Sequence, residues 1–124
     1  MAKIMIVDDD AQAASLLERV VKMNGHQSVA VNKSIDAMET ANSYNPDLFL
    51  LDLMMPGING FDLCKLLRAD SKFANKPIIV VSALEDKESK TKAYNAGANE
   101  YVTKPFNIIE LAEKIDTLLA SVKP

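Results

Sequence analysis

The sequence predicts an α/β domain in which helices cover both faces of one parallel sheet, and three observations carry that prediction. Five short apolar runs recur along the chain, each too short for an ordinary helix. The segments between them show helical spacing. Successive runs are centred roughly 20–30 residues apart, a distance that suits a crossover helix and is too long for a hairpin. Alternating strands and helices of this kind fold as a doubly wound parallel sheet.

Ile4 to Val7 is the first strand, and its near-continuous apolar character is that of a strand buried on both faces. Leu16, Leu17, Val20 and Val21 place an apolar stripe on the first helix, which stops at Asn24-Gly25. Ser28 to Val31 follows as a strand, and Ser34 precedes a second helix carrying Ile35, Met38 and Ala41. After the third strand, Leu48 to Leu51, a helix from about Gly60 to Asp70 is lined by Phe61, Cys64 and Leu67, with Leu66 at the margin. Ile78 to Val81 is the fourth strand, and a polar helix from Asp86 to Ala96 ends at Gly97. Tyr101-Val102 forms the fifth strand. Ile108, Leu111, Ile115, Leu118, Leu119 and Val122 stripe the last helix. Pro46, Pro56, Pro77 and Pro105 all fall in predicted loops, where a missing N–H does no harm.

A length of 124 residues fits one domain spanning 1–124 with a single architecture, and ordinary globular composition (48% hydrophobic, 25% charged) excludes a disordered polymer. Net charge −3 argues against direct nucleic-acid binding by bulk charge, which needs a basic face. The lone cysteine, Cys64, excludes an internal disulfide and reads as a small buried apolar residue. No run approaches the length of a membrane span, and Asp8-Asp9-Asp10 interrupts the first apolar run too early for a signal peptide, so the expected compartment is the cytoplasm.

The polar residues that punctuate this pattern fall at strand ends. Asp8, Asp9 and Asp10 follow the first strand, Asp52 the third, Ser82 the fourth and Lys104 the fifth. In an open parallel sheet all carboxyl ends share one edge, where ligands bind. Asp8, Asp9 and Asp52 would repel one another without a cation, and a hard divalent ion such as Mg²⁺ suits their oxygens. A carboxylate can also attack phosphorus, with Lys104 and Ser82 binding the transferred phosphoryl oxygens.

With Ile6-Val7-Asp8-Asp9-Asp10, Leu51-Asp52-Leu53-Met54-Met55-Pro56 and Gly60, Val81-Ser82-Ala83, Gly97-Ala98 and Lys104-Pro105-Phe106 in order, the chain resembles the CheY-like receiver domains of two-component response regulators over essentially its whole length. The resemblance implies a flavodoxin-like (βα)5 fold with strand order 2-1-3-4-5. It implies that Asp52 accepts a phosphoryl group from a histidine kinase or phosphotransfer protein. Mg²⁺ would be held by Asp8, Asp9, Asp52 and the Met54 backbone carbonyl, while Lys104 and Ser82 act on the phosphoryl oxygens. Ser82 and Tyr101 would form the switch pair, and Lys104-Pro105 would be a cis peptide. The fourth helix, fifth strand and last helix would present the output surface to a partner or output domain. Homodimer formation through that surface stays open, as does whether the chain stands alone or was cut from a longer regulator.

Simpler readings stand beside these. Asp10 caps the first helix, Asp52 alone could serve a turn, and the mixed charges from Glu85 to Lys92 suit a solvated helix face as well as an output surface. His26, in the turn after Asn24-Gly25, reads as a surface residue and not as a phosphodonor. Met54 and Leu84 lie two residues beyond Asp52 and Ser82; two apolar side chains there cannot orient an attacking water, which predicts a long-lived aspartyl phosphate. A different function, a Mg²⁺-dependent phosphohydrolase with an aspartate nucleophile, has the Asp-x-Asp spacing in Asp8-Asp9-Asp10. It lacks the expected hydroxyl at Gln12 and has no room for a substrate cap. A nucleotide-binding flavodoxin-like domain would need a glycine-rich loop where the aspartates stand.

Overall fold

A computed structural model describes residues 1–121. Its elements are β1 (Lys3–Val7), α1 (Ala11–Met23), β2 (Gln27–Val31), α2 (Ala37–Tyr44), β3 (Leu48–Leu51), α3 (Gly60–Ala69), β4 (Ile78–Ser82), α4 (Lys87–Ala96), β5 (Glu100–Thr103) and α5 (Ile108–Ser121). A 3₁₀ turn, Ser34–Asp36, leads into α2. All strands are parallel and lie in the order β2-β1-β3-β4-β5, as the resemblance implied.

Successive residues of a strand point to opposite faces, so each central strand feeds two cores. Met5, Val7, Phe49 and Leu51 pack with Ala41 of α2, Leu63, Cys64 and Leu67 of α3 and Ala93 of α4. Ile4, Ile6, Leu48 and Leu50 pack with Leu17 and Val21 of α1 and Leu111 and Ile115 of α5. Phe49 meets Phe73 edge to face, the arrangement the ring quadrupole favours, with centroids 5.7 Å apart. Cys64 is fully buried and burial pushes its thiol up to about 11, which agrees with a packing role.

Caps fix the helix ends. Asp10 accepts from the N–H groups of Gln12 and Ala13 at the start of α1, Asn59 from Asp62 at α3, and Asp86 from Ser89 at α4. The carboxyl end of α4 is tied down by Arg68. Its Nε donates to the Gly97 carbonyl at 3.0 Å, and its Nη1 reaches the carbonyls of Phe73, Ala74 and Lys76. Nη2 donates to Asn99 Oδ1 at 2.8 Å. Gly97 adopts φ +122°, and a Cβ there would sit 2.5 Å from Arg68 Cγ.

Several expectations need correction. Leu16 is exposed: α1's buried stripe is set by Leu17, Val20 and Val21, and Leu16 lies about 100° round the helix from Leu17. Leu66 is exposed for the same reason beside Leu67, and Leu63 takes the inward place. Ile108 is half exposed because it occupies the first turn of α5, where with Leu16, Ala13, Pro105 and Phe106 it lines an apolar cleft of about 220 Å³. Ile35 is exposed and belongs to the 3₁₀ turn; α2 starts only at Ala37. Val122 lies outside the described residues.

His26 is also not a surface residue. Only 13% of its side chain is exposed; its Nδ1 accepts from the Ala2 N–H and its Nε2 faces Asp116 Oδ1 at 3.1 Å. The ring thus fastens the start of β1 to α5. It sits at the amino edge of the sheet, opposite the aspartates, so it is no phosphodonor to them.

Candidate functional site

β1 and β3 are adjacent and in register from Ile4 with Leu48 to Val7 with Leu51. The next residue on each chain is therefore an aspartate at the same edge, and the Asp52 N–H donates to the Val7 carbonyl at 3.0 Å. Asp8 is 1% exposed. Its Oδ1 accepts from the Asp10 N–H at 2.9 Å and its Oδ2 from Lys104 Nζ at 2.8 Å. Asp52 is buried, with Oδ1 held by the Leu53 N–H at 2.8 Å and Oδ2 lying 3.8 Å from Lys104 Nζ. Asp9 is exposed. One carboxylate oxygen from each of Asp8, Asp9 and Asp52 lies within 4.8 Å of the others.

Lys104 reaches this group because its N–H donates to the Ser82 carbonyl at 2.8 Å, which extends the β4–β5 ladder beyond Thr103. The peptide to Pro105 is cis, as expected. Ser82 ends β4 with no exposure, and its Oγ accepts from the Leu84 N–H at 3.2 Å. Tyr101, on the edge strand β5, is buried and donates its hydroxyl to the Leu84 carbonyl at 2.6 Å. Burial pushes the Tyr101 phenol up, while the Ser82 hydroxyl pulls it down. Met54 stands in the β3–α3 loop and is 66% exposed.

Electrostatics follow from burial. Asp52 has its carboxyl pushed above the usual carboxylate range by desolvation; Lys104 opposes this, while Asp8 and Asp9 add to it. Three carboxylates against one ammonium leave the pocket negative and rich in hard oxygen donors. That donor set fits a small divalent cation such as Mg²⁺, which takes carboxylate and carbonyl oxygens together with water.

Three further residues shape the site. Gly60 opens α3 against the site backbone: a Cβ there would lie 2.2 Å from the Asp52 carbonyl oxygen, so only glycine fits. The sequence marked Gly60 as a helix start but gave no sign of this approach. Asn32 donates from Nδ2 to the Asp8 carbonyl at 3.0 Å, and Ser34 bonds to the loop after Asp52. Neither contact has a local sequence signal, because each spans more than twenty residues.

The family model for the response regulator receiver domain matches residues 4–116. The chain is 34% identical over 119 residues to the DNA-binding dual master transcriptional regulator RpaA of Synechocystis, covering 96% of this chain and 49% of that protein. It is 37% identical over 113 residues to the DNA-binding response regulator MtrA of Mycobacterium tuberculosis, covering 91% and 48%. The chain thus spans about half the length of these curated relatives. Among solved structures it is similar to the receiver domain of the Francisella response regulator 1452, with TM-score 0.91, 32% identity and coverage of 99% and 100%. It is also similar to the signal receiver domain of a signal transduction histidine kinase from Syntrophus aciditrophicus, with TM-score 0.91, 28% identity and coverage of 99% and 93%.

Proposed function

The chain belongs to the response regulator receiver domain family and is a signalling switch of two-component systems, and from that premise we propose that Asp52 is its phosphoacceptor. One observation carries the reading. Asp52 Oδ2 is the free oxygen of a buried carboxylate, 3.8 Å from the Lys104 ammonium and inside a cluster of three aspartates. Oδ1 is occupied by the Leu53 N–H, so Oδ2 is the oxygen left to attack. In the step, Oδ2 forms a bond to phosphorus as the phosphorus–nitrogen bond to a phosphohistidine of a histidine kinase or phosphotransfer protein breaks. The electron pair leaves with the imidazole.

Asp8, Asp9, Asp52 and the Met54 carbonyl would hold Mg²⁺, which when bound neutralises charge on the phosphoryl oxygens. Lys104 shifts from Asp8 and Asp52 toward a phosphoryl oxygen. Ser82 uses its Oγ lone pair on the Leu84 N–H, so its own proton is free to be donated to another. When that hydroxyl turns to the phosphoryl group, the Leu84 N–H loses its partner, and the Leu84 carbonyl that Tyr101 holds moves with it. Ser82 and Tyr101 thereby carry the change to the surface of α4, β5 and α5, where a partner or output domain reads it. A net charge of −3 argues against direct nucleic-acid contact by this module. No described helix is long and apolar enough to cross a membrane, which suits a cytoplasmic role.

The phosphohydrolase reading is not favoured, since the family match covers the chain and Gln12 replaces the hydroxyl such enzymes need. Incubation with Mg²⁺ and acetyl phosphate, followed by intact mass, is the test. A gain of one phosphoryl group is expected, lost in Asp52→Asn and on chelation. A gain that persists in Asp52→Asn overturns the assignment.

A further inference from the structure

We propose that the loop between β2 and α2, which supplies none of the acidic or basic groups of the site, is the brace that sets the spacing of the two loops that carry all three carboxylates, with Asn32 and Ser34 as its positioning residues. The proposal rests on the phosphoacceptor reading and adds to it the means by which the pocket keeps its shape before any cation or phosphoryl group arrives.

The first arm of the brace holds Asp8. Its N–H donates to the Val31 carbonyl at 3.1 Å and its carbonyl accepts from Asn32 Nδ2 at 3.0 Å. Both backbone groups of the residue that carries the innermost carboxylate are thus bonded to one short stretch of chain. The second arm holds the β3–α3 loop. Ser34 is 1% exposed, and its Oγ donates to the Pro56 carbonyl and accepts from the Ile58 N–H, both at 2.8 Å. One hydroxyl serves two backbone groups that no strand or helix partners, and its own hydrogen-bonding is satisfied in return.

Gly57 lies between those two groups with φ +84°, and a Cβ would stand 2.9 Å from Ile35 Cγ2 and 3.2 Å from Ser34 Oγ. The turn is therefore wrapped directly on the brace. At the other end of the same loop, the Gly60 N–H donates to the Leu53 carbonyl at 2.9 Å. The segment from Leu53 to Gly60, which includes Met54, is closed at its base by Gly60 and pinned at its tip by Ser34.

A brace is needed because the pocket repels itself. Asp8, Asp9 and Asp52 face one another with Lys104 alone among the described residues to offset them, so without a bound cation like charge pushes the two loops apart. A pocket that spreads must be drawn together again when a cation binds, and that reorganisation weakens affinity. Asn32 and Ser34 are three positions from end to end and grip one loop each, so their spacing is passed to the carboxylates.

A merely structural role would lower stability without singling out the site, and the test separates the two. Asn32→Ala, Ser34→Ala, Ser34→Thr and a control, Ala41→Gly in α2, are compared by amide hydrogen exchange without metal and by Mg²⁺ titration. The informative amides are Asp10 and Leu53, which are bonded to the carboxylates of Asp8 and Asp52. Asn32→Ala is expected to speed exchange at Asp10, and Ser34→Ala at Leu53 and Ile58, each about threefold to tenfold, the equivalent of one lost hydrogen bond. Mg²⁺ affinity should weaken by about the same factor. Ser34→Thr, which keeps the hydroxyl, should restore both readouts, and Ala41→Gly should leave both as in the native protein. Unchanged exchange in both alanine variants overturns the brace, as does equal acceleration in Ala41→Gly. Asn32 is on the surface, so its variant decides the matter even if Ser34→Ala does not fold. Should the native protein take up no Mg²⁺, the metal part of the phosphoacceptor reading falls, and the exchange measurements still decide the brace.

Discussion

Asp52 is held in a place that resists its own charge. Burial raises its carboxyl above the ordinary range, Lys104 relieves part of this, and Asp8 and Asp9 worsen it. A folded-state acid that binds its proton more tightly than the unfolded chain favours folding below the unfolded value. It loses that advantage as pH rises through the raised folded value. Asp52→Asn, which keeps an oxygen for the Leu53 N–H but sheds the charge, is therefore expected to melt at a higher temperature than the native protein at neutral pH. The gap should close in melts taken at progressively lower pH, and a gap that widens on acidification contradicts the assignment. At Met54 the exposed thioether offers no donor and only a weak acceptor to align a water for attack on an aspartyl phosphate. Met54→Asn supplies one, and a dephosphorylation rate raised about tenfold is expected; equal lifetimes in a side-by-side decay assay would remove the idea.

The strands and most helix faces were legible in the sequence because burial on two sides leaves a dense apolar run that nothing else in a small domain produces. Ile4 to Val7 and Leu48 to Leu51 are examples, and their ends located Asp8 and Asp52 with no further help. Periodicity alone was too coarse for Leu16, Leu66 and Ile108. Each is one apolar side chain beyond what a helix facing a sheet can bury, and only the packing decides which one is left out. The bracing by Asn32 and Ser34 and the stapling by His26 were illegible for another reason. Each is a polar bond to a partner more than twenty residues away, and no local pattern encodes it. The close approach at the α3 start was illegible because it is a steric contact between backbone segments that only the folded loop creates. Gly60→Ala would thrust a methyl group onto the Asp52 carbonyl oxygen and the Leu53 Cα, and backbone cannot yield cheaply. A loss of about 2–4 kcal/mol in denaturant unfolding is expected, together with loss of phosphorylation by acetyl phosphate.

At the scale of the whole molecule, one sheet carries two separate cores, and the negative pocket sits at the end of both. A cation bound only by the folded form stabilises it by mass action. Mg²⁺ at about a hundred times its dissociation constant should add about 2.7 kcal/mol and raise Tm by several degrees. Asp9→Asn should reduce that gain, and a melting curve indifferent to Mg²⁺ would count against the site as a metal centre. The chain matches about half the length of its curated relatives.

The Arg68 guanidinium makes α4 a lever with its fulcrum at one end. Gly97 is bolted to α3 and to the chain before β4 through that one side chain, whereas the approach to Asp86 hangs on the Ser82 and Tyr101 hydroxyls. A displacement that begins at Ser82 would therefore be largest at Lys87 and die away toward Asn95.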